Sequence, residues 1–365
     1  MLLMAVHAPD RTPSQRFRIE EFLPYLREQG IETDFSWALS ADDAKTFYGK
    51  VPASEKAKVV ARAGARQVKA VAPHLLRKRY DVIFVQREAF FLGGPWLEWL
   101  ASRSAPMIYD FDDAIWVHQV SESNRRFAFL KNVNKVPRLV ELAHTVFAGN
   151  PYLANWARAF NGNVRVVPTT IDTEVYRPGP AREEASAPVV IGWSGSTTTV
   201  EHFQTALPAL TRVKAKLGDR VRFKVIGDAN YRHEALGIVG EGWRAETEVA
   251  ELQKIDIGLM PLPDTEWARG KCGLKGLQYM ALGIPTLMSP VGVNSDIVRD
   301  GENGFLPRSE EEWVERLCQL AQDAAARRRL GAAGRKTVVD EYSVLRWRDT
   351  YVELIRKAAA KGLAP

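Results

Sequence analysis

The sequence is poor in cysteine and contains no long apolar run. Its two cysteines, Cys272 and Cys318, are too few for a disulfide framework, so we expect a reducing compartment. No stretch approaches the roughly 18 apolar residues that a membrane-spanning helix needs. The N-terminal residues MLLMAVHAPD lack a basic leader, and they predict a first β-strand instead of a signal peptide. Together these absences predict a folded protein of the cytoplasm.

Positive charge is concentrated in the first half of the chain. The net charge is +6, and all of it lies in residues 1–170. Residues 45–79 carry ten Lys and Arg side chains against one acid, Glu55. Such a segment attracts anionic lipids or an anionic substrate, although a solvated helix face has the same composition. We therefore predict an anionic membrane surface as one candidate partner of residues 45–79, with peripheral attachment at the inner face of the membrane, and no nucleic-acid partner.

A dinucleotide-binding sequence is also missing. No G-x-G-x-x-G follows the first predicted strand, which argues against a dinucleotide-dependent dehydrogenase. At 365 residues, with 46% hydrophobic and 26% charged residues, the chain has the length of two folded domains. Predicted strands and helices alternate through both halves, which indicates an α/β fold with two parallel sheets. Two of the predicted helices are 54–79, ended by Pro73 or shortly after it, and 124–142.

The segment RGKCGLKGLQYMALGIPTLMS, residues 269–289, joins a predicted helix to a predicted buried strand. Apolar residues recur in it at spacings of three and four, as in an amphipathic helix, and Gly283 is a suitable end for that helix. Three glycines and two lysines lie where the helix begins. Because a helix N-terminus attracts anions and glycine permits close approach, we predict a diphosphate site here. These residues are Gly270, Lys271, Gly273, Lys275 and Gly276.

A second segment, GWSGSTTT at residues 192–199, follows a predicted strand and precedes a predicted helix. Its glycines and hydroxyl side chains can bind phosphate through N–H and O–H groups. The segment has no cation, so we expect Lys271, with Arg269 or Lys275, to supply the positive charge. The residues predicted to contact phosphate in this part of the chain are Gly192, Ser194, Gly195, Ser196 and Thr197, with Gly227 after the following strand.

Both segments resemble retaining glycosyltransferases of the GT-B fold, in the family-4-like group called glycosyl transferases group 1. MALGIP at residues 280–285 matches the end of the nucleotide-sugar motif of this family, and the two glutamates of that motif fall on Gly270 and Gln278. VPTTIDTEVYRPGP at residues 167–180 resembles the interdomain hinge of these enzymes. The resemblance implies two Rossmann-like domains that face each other across a cleft, with a C-terminal helix that crosses back to the first domain.

The resemblance also implies that the two domains bind different substrates. The first would bind the acceptor and the second the nucleotide sugar, with the chemistry in the cleft. The predicted boundaries are 1–168 for the first domain, 169–187 for the linker, 188–342 for the second domain and 343–365 for the returning helix.

The activity implied by the resemblance is transfer of a sugar, with retention, from a UDP- or GDP-sugar to a hydroxyl of a glycan or lipid-linked acceptor. The nucleotide sugar is a co-substrate, and we expect neither a cofactor nor a metal. Lys271, assisted by Arg269, would stabilise the negative charge that develops on the leaving diphosphate. Gln278, in place of the second glutamate, would hold the ribose. Further predicted donor contacts are Asp264, Trp267 and Leu274.

Polar residues follow several predicted strands of the first half, where a ligand of an α/β sheet would lie. Asp112 and Asp113 belong to YDFDDAIW, a segment similar to one in the same glycosyltransferases, and we predict that they bind or deprotonate the acceptor. A helix cap or a structural ion pair is the alternative for both. Asp110 and Asp112 match a metal-binding spacing, but we predict no metal in this domain. The predicted acceptor contacts are Ser14, Arg16, Arg18, Arg87, Glu88 and His118.

Two other functions are compatible with these patterns. One is a nucleotide-sugar epimerase or a sugar-phosphate synthase of GT-B fold. The other is a non-catalytic binder of an anionic polymer or membrane through residues 45–79. Among glycosyltransferases of this kind, the assembly of bacterial surface polysaccharide is the common setting.

Overall fold

The structure is a computed structural model that describes residues 1–77, 79–117, 132–180 and 187–361. Its contacts divide the chain into two compact units. Unit 1 consists of Met1–Thr169 and Trp347–Pro365, and unit 2 consists of Thr170–Arg346. Each unit alternates strands with helices around a parallel sheet, so the predicted α/β class is confirmed. Within the described residues, no helix is both long and apolar enough to cross a membrane.

Unit 1 is built on a six-stranded sheet in which every neighbouring pair of strands is parallel. The strands are β1 (Leu2–His7), β2 (Asp34–Leu39), β3 (Ile83–Gln86), β4 (Met107–Phe111), β5 (Thr145–Ala148) and β6 (Val164–Val166). Their order is β2-β1-β3-β4-β5-β6. The strand after β1 lies on one side of it, and β3 and all later strands lie on the other, so the strand order reverses between β1 and β3. Ligands of open α/β sheets bind beyond the carboxyl ends of the strands at such a switch point.

In the described part of unit 1, seven helices connect these strands. They are α1 (Pro13–Arg18), α2 (Leu23–Glu28), α3 (Ala41–Tyr48), α4 (Ala53–Arg77), α5 (Trp96–Ser102), α6 (Lys135–Leu142) and α7 (Pro151–Ala157). The long basic helix α4 includes Pro73 and ends at Arg77, shortly after that proline. Burial of Val59, Ala63 and Val71 along α4 outweighs the one backbone hydrogen bond that proline removes. Of the helix predicted at 124–142, the part from 124 to 131 lies outside the described residues.

The last helix, α16 (Val344–Lys361), belongs to unit 1 from Trp347 onward. Tyr351 is its fully buried anchor. The ring of Tyr351 stacks on Phe22 at 4.2 Å between centroids, and its hydroxyl donates a 2.7 Å hydrogen bond to the carbonyl of Arg18. The predicted return of the C-terminal helix to the first domain is therefore confirmed.

Unit 2 contains a four-stranded parallel sheet and a small antiparallel pair. The strands of the main sheet are β7 (Val189–Ser194), β8 (Val221–Ile226), β11 (Ile257–Met260) and β12 (Thr286–Met288), and the pair is β9 (Arg232–His233) with β10 (Ile238–Val239). The main sheet has the order β12-β11-β7-β8. Its switch point therefore lies between β11 and β7.

The helices of unit 2 cover this sheet. They are α8 (Val200–Gln204), α9 (Leu207–Leu217), α10 (Glu248–Leu252), α11 (Glu266–Arg269), α12 (Leu274–Ala281), α13 (Asn294–Ile297), α14 (Glu310–Gln322) and α15 (Ala324–Thr337). One core cluster joins the sheet to α9 and α14 through side chains such as Ile191, Leu210, Leu259 and Leu317. Burial of these apolar side chains holds the helices against the sheet, and the candidate site lies at one edge of that sheet.

Candidate functional site

The carboxyl ends of β7, β11 and β12 meet at one edge of the unit 2 sheet, because these strands are parallel neighbours. The loops after β11 and β12 are joined by the Ser289 hydroxyl, which accepts a 2.9 Å hydrogen bond from the backbone N–H of Leu262. Asn294 donates a 2.9 Å hydrogen bond to the Ser289 carbonyl. These bonds give the edge a fixed backbone on which side chains are placed.

Close backbone packing explains several of the predicted glycines in and near the first segment. Gly227 has φ +120°, and a Cβ there would overlap with the carbonyl of Gly195. A Cβ on Gly195 would overlap with the ring of Trp193, and one on Gly192 would overlap with Ile255. Glycine is thus required for the approach of the β7 and β8 ends, whether or not a ligand binds there.

The hydroxyl residues after β7 form a turn. The Ser196 N–H donates a 3.0 Å hydrogen bond to the Thr199 hydroxyl, and Ser196 and Thr197 are exposed. Ser194 is buried, and its N–H donates a 2.7 Å hydrogen bond to the Tyr279 hydroxyl. The backbone N–H of Ser194 is therefore already hydrogen-bonded within the core, whereas the side chains of Ser196 and Thr197 reach solvent.

Two lysines lie against aromatic rings at the start of α12. The Nζ of Lys271 lies 3.5 Å from the centroid of the Trp267 ring, and the Nζ of Lys275 lies 5.3 Å from that of Trp193. His202 packs against Trp267 with ring centroids 5.1 Å apart. We call these five residues the lysine cluster. Cation–π contacts hold a charged ammonium in place while it keeps its charge, which suits it to bind an anion.

The electrostatics of the lysine cluster follow from its composition. Burial lowers the pKa of His202, and the nearby Lys275 and Lys271 lower it further, to about 3. His202 is therefore neutral at neutral pH, while the two lysines provide the positive charge of the cluster. The predicted residues Lys271, Lys275 and Trp267 are brought together, and Trp193 and His202 join them.

The start of α12 is shaped by glycine. Gly273 is its N-cap residue, with φ +72°, and a Cβ there would overlap with Ile297. Gly270 ends α11, and its N–H donates a 3.1 Å hydrogen bond to the Trp267 carbonyl. Leu274, the first residue of α12, is half-buried, and Cys272 is buried. The turn between α11 and α12 thus carries Lys271 on a backbone with little freedom.

Arg269 and Asp264 form an exposed pair with each other. The guanidinium donates hydrogen bonds of 2.6 and 3.0 Å to the two carboxylate oxygens. These bonds lower the pKa of Asp264. Arg269 thus already has an anionic partner within unit 2, and the catalytic role predicted for it stays a prediction.

Gln278 lies in a buried polar network. Its amide nitrogen donates hydrogen bonds of 3.2 Å to the Tyr176 hydroxyl and 3.1 Å to Glu248. Glu248 also accepts from Tyr176 at 2.7 Å and from the Trp243 ring nitrogen at 2.9 Å. Gln278 is only 3% exposed and its amide N–H groups bond within this network, so the predicted ribose contact stays a prediction.

At the switch point of unit 1, predicted residues from three segments of the chain meet. Ser14 donates a 2.6 Å hydrogen bond to Asp112 and accepts one of 2.7 Å from Gln86. Arg87 donates to the same Asp112 oxygen at 2.8 and 2.7 Å and lies 3.5 Å from Asp113. We call Ser14, Gln86, Arg87, Asp112 and Asp113 the Arg87 cluster. Arg87 has φ +59°, an uncommon backbone conformation that often marks functional positions.

The Asp112 carboxylate remains ionised in this cluster. Burial would raise its pKa, but Arg87, Arg18 and the Ser14 hydroxyl outweigh burial and hold the pKa below its usual range. A carboxylate held in this way can accept a hydrogen bond from a hydroxyl. Both the acceptor-binding hypothesis and the structural ion pair are compatible with this arrangement.

Other residues predicted in the first half lie elsewhere. Arg18 is fully buried and bonds to Asp110 and to the Val167 carbonyl, which makes it part of the core of unit 1. The reason is that α1 turns its inner face, with Phe17, toward the sheet. Arg16 is 3.9 Å from Asp10, and Glu88 pairs with the buried Lys135 at 2.6 Å. His118 lies outside the described residues.

No group of three or more His, Cys, Asp or Glu side chains in the described ranges is arranged to hold a metal. Asp110, one of the two acids at a metal-like spacing, is buried against Arg18. Burial raises the pKa of Asp110, and Arg18 opposes that shift.

Comparison with known proteins supports the interpretation of this fold. Residues 188–323 match the family model of the Glycosyl transferases group 1. The predicted enzyme class, a glycosyltransferase, is confirmed by this match. The matched residues contain the whole lysine cluster. No curated protein sequence matches the chain.

Solved structures show the same fold over the whole chain. Sucrose-phosphate synthase of Thermosynechococcus elongatus is 14% identical, with a TM-score of 0.69 and coverage of 99% of this chain and 100% of that one. A glycosyltransferase of Rickettsia africae is 15% identical, with a TM-score of 0.66 and 98% coverage of both chains. HepE of Anabaena, with UDP and glucose bound, is 16% identical, with a TM-score of 0.65 and coverage of 98% and 99%. The predicted GT-B fold is thus confirmed.

The sequence analysis did not identify Trp193 or His202 as neighbours of the predicted residues. Trp193 lies inside the GWSGSTTT segment, so its position was available as a signal. His202 follows that segment by three residues, but only the pairing of β7 with β11 brings it to Trp267. Gln86 precedes the predicted Arg87 at the end of β3.

Proposed function

We propose that this glycosyltransferase moves a sugar from a UDP-sugar to a hydroxyl of a glycan or lipid-linked acceptor. The observation that carries the proposal is the lysine cluster, in which two half-buried ammonium groups are held at the carboxyl edge of the unit 2 sheet. A nucleoside diphosphate is the anion that suits such an edge in an α/β sheet. UDP is favoured over GDP because structures of HepE contain UDP and UDP-glucose.

In the proposed reaction, the bond between the anomeric carbon and the diphosphate oxygen breaks, and its electron pair stays on the diphosphate. The acceptor hydroxyl oxygen bonds to the anomeric carbon, and its proton passes to the Asp113 carboxylate. Lys271, and Lys275 beside it, stabilise the charge that grows on the leaving diphosphate. Two fixed ammonium groups can do this without a metal, and we propose neither a metal nor a cofactor. Retention of configuration is proposed from the family resemblance.

The Arg87 cluster is the proposed contact for an acceptor hydroxyl in unit 1. Asp112 offers an ionised carboxylate, and Arg87 and Ser14 fix its position. Asp113, beside it, is the second acid that could accept a proton. Because Ser14 and Arg87 both donate hydrogen bonds to Asp112, an acceptor must compete with them for that carboxylate.

Product analysis tests the proposed activity against its alternatives. The full chain is incubated with UDP-glucose, UDP-N-acetylglucosamine or GDP-mannose and candidate glycan and lipid-linked acceptors, and the products are identified by NMR. Transfer gives a glycoside and one nucleoside diphosphate per bond formed. An epimerised sugar without a glycoside, or a phosphorylated product, would replace the proposal by the epimerase or the synthase.

Attachment to an anionic membrane is a second proposal, favoured by one observation. Trp96 and Trp99 of α5 are 46% and 43% exposed, and α5 packs against the basic helix α4. Exposed tryptophans on a helix that packs against a basic helix suit the interface of an anionic bilayer. Part of the basic charge of α4 is neutralised within unit 1, since Arg62 and Arg66 form ion pairs with Asp43. We therefore propose a cytoplasmic protein attached peripherally at the inner face of the membrane.

Vesicle flotation tests this attachment. Vesicles with anionic phosphatidylglycerol should retain the wild-type chain, and Trp96→Ser with Trp99→Ser should release most of it. Equal retention of the double variant, or equal retention by neutral phosphatidylcholine vesicles, would contradict the proposal.

A further inference from the structure

His202 of the lysine cluster carries a buried polar atom that the chain does not satisfy. The residue lies in α8 and is only 2% exposed. Its ring Nδ1 is buried and has no hydrogen-bond partner among the residues that the structure describes. An unpaired buried polar atom destabilises the folded chain, and such atoms are rare in folded proteins. A partner supplied by a ligand would remove this cost.

The surroundings of His202 indicate the chemistry of that partner. Lys271 and Lys275 are near enough to lower the pKa of His202 after burial has already done so. The imidazole is therefore neutral, and one of its nitrogens carries a hydrogen. Next to two ammonium groups, the local potential favours an anionic oxygen. A neutral N–H adds a hydrogen-bond donor there without adding a third positive charge that would repel the lysines.

Packing fixes the position of this donor. The His202 ring lies against Trp267, and the same indole carries the Lys271 ammonium. The imidazole and the ammonium are thus placed by one rigid side chain. Contact with one indole therefore places His202 in the same part of unit 2 as the Lys271 ammonium.

We propose that the Nδ1–H of His202 donates a hydrogen bond to the diphosphate held by Lys271 and Lys275. His202 is then a donor-binding residue, and Trp267 is the positioning residue that holds it. This inference rests on the proposed function for the identity of the nucleotide, but the contact itself requires only a diphosphate.

Two variants of His202 separate hydrogen bonding from packing. His202→Asn places an amide N–H near the position of Nδ1 but removes the ring. His202→Phe keeps a ring against Trp267 but has no polar atom. Both are titrated by calorimetry with UDP and with inorganic pyrophosphate, after thermal unfolding has shown that they are folded.

We expect His202→Phe to weaken binding of both probes about tenfold or more, the loss for a hydrogen bond to a charged group, and His202→Asn to stay within about threefold of the wild type. A purely structural role predicts the reverse order. Wild-type affinity in His202→Phe would overturn the inference.

The outcomes also distinguish this inference from the proposed function. Binding of pyrophosphate but not of UDP would contradict the proposed UDP-sugar donor. The His202 contact would then be tested by the pyrophosphate affinities of wild type and His202→Phe. Equal UDP binding by wild type and His202→Phe would remove the contact and leave the proposed donor. Binding of neither probe by the wild type would overturn both.

NMR of the wild-type chain provides a second measurement if His202→Phe does not fold. The ring nitrogens of histidine are labelled with 15N, and the His202 resonances are identified by their absence from His202→Asn. Addition of pyrophosphate should shift the Nδ1 resonance of His202. An unchanged resonance at saturating pyrophosphate would overturn the inference.

Discussion

At the scale of single residues, Arg18 shows how burial changes the role of a charged side chain. Both Arg18 and Asp110 have fully buried side chains, and Arg18 also bonds to the Val167 carbonyl. This guanidinium joins α1, β4 and the end of β6 within unit 1. Its position at the end of α1 is close to the predicted ligand-binding loop, but its contacts are those of a core residue.

We predict that Arg18→Ala destabilises unit 1 strongly. The change leaves the Asp110 carboxylate buried without its cation, which costs about 3–5 kcal/mol. Urea denaturation followed by circular dichroism measures the free energy of unfolding. Arg79→Ala is the matched control, since Arg79 and its partner Asp34 are both more than half exposed and such pairs contribute about 0–1 kcal/mol. A loss in Arg18→Ala as small as that of the control would contradict the prediction.

At the scale of elements, α15 is held close to the turn after α12. Gly331 lies inside α15, and a Cβ there would overlap with the backbone carbonyl of Gly283. The residue in the turn, Gly283, has φ +71° and ends α12 as predicted. Because the neighbour of Gly331 is backbone, it cannot turn away as a flexible side chain could.

In Gly331→Ala, helix propensity and packing change the stability of the chain in opposite directions. Alanine favours an isolated helix over glycine by about 1 kcal/mol. Overpacking against a fixed carbonyl costs about 1–3 kcal/mol or more, so we predict a net loss of stability. Thermal unfolding should show a lower melting temperature for Gly331→Ala than for Gly162→Ala, a position with open space around it. A higher melting temperature for Gly331→Ala would show that α15 can move away from Gly283.

The elements also show which parts of the site the sequence could predict. Lys271 and Lys275 are four residues apart on one helix start, so their proximity follows from the local sequence. Ser14, Arg87 and Asp112 were brought together by the rule that parallel strands end at one edge. His202 and Trp267 are distant in sequence, and only the strand order β11-β7 makes them neighbours.

Helical spacing predicts the burial of Gln278. Gln278 lies four residues after Leu274 and three before Ala281, on the apolar face of α12. That spacing predicts a buried side chain, and the structure places it against Glu248. Its identification with a ribose-binding position came from the resemblance alone. Burial of Arg18 was less predictable, because it depends on how α1 turns against β4.

At the scale of the whole molecule, the two units carry different chemistry on similar sheets. Unit 2 places two ammonium groups and a neutral imidazole at its switch point. Unit 1 places an arginine and two carboxylates at the corresponding position. An anion suits the first set, and a hydroxyl suits the second. This asymmetry agrees with the proposed donor and acceptor roles of the two units.

The most direct test of this account is a calorimetric titration of the full chain with UDP and with GDP, comparing wild type, Lys271→Ala and Lys336→Ala. Lys336 is an exposed lysine outside the lysine cluster, paired with Asp340, and serves as the control. We predict that the wild type and Lys336→Ala bind UDP alike, and that Lys271→Ala binds it about tenfold or more weakly, the loss for a charged hydrogen bond. Unchanged UDP affinity in Lys271→Ala, or no affinity of the wild type for either nucleotide, would contradict the central claim that the lysine cluster binds the donor diphosphate.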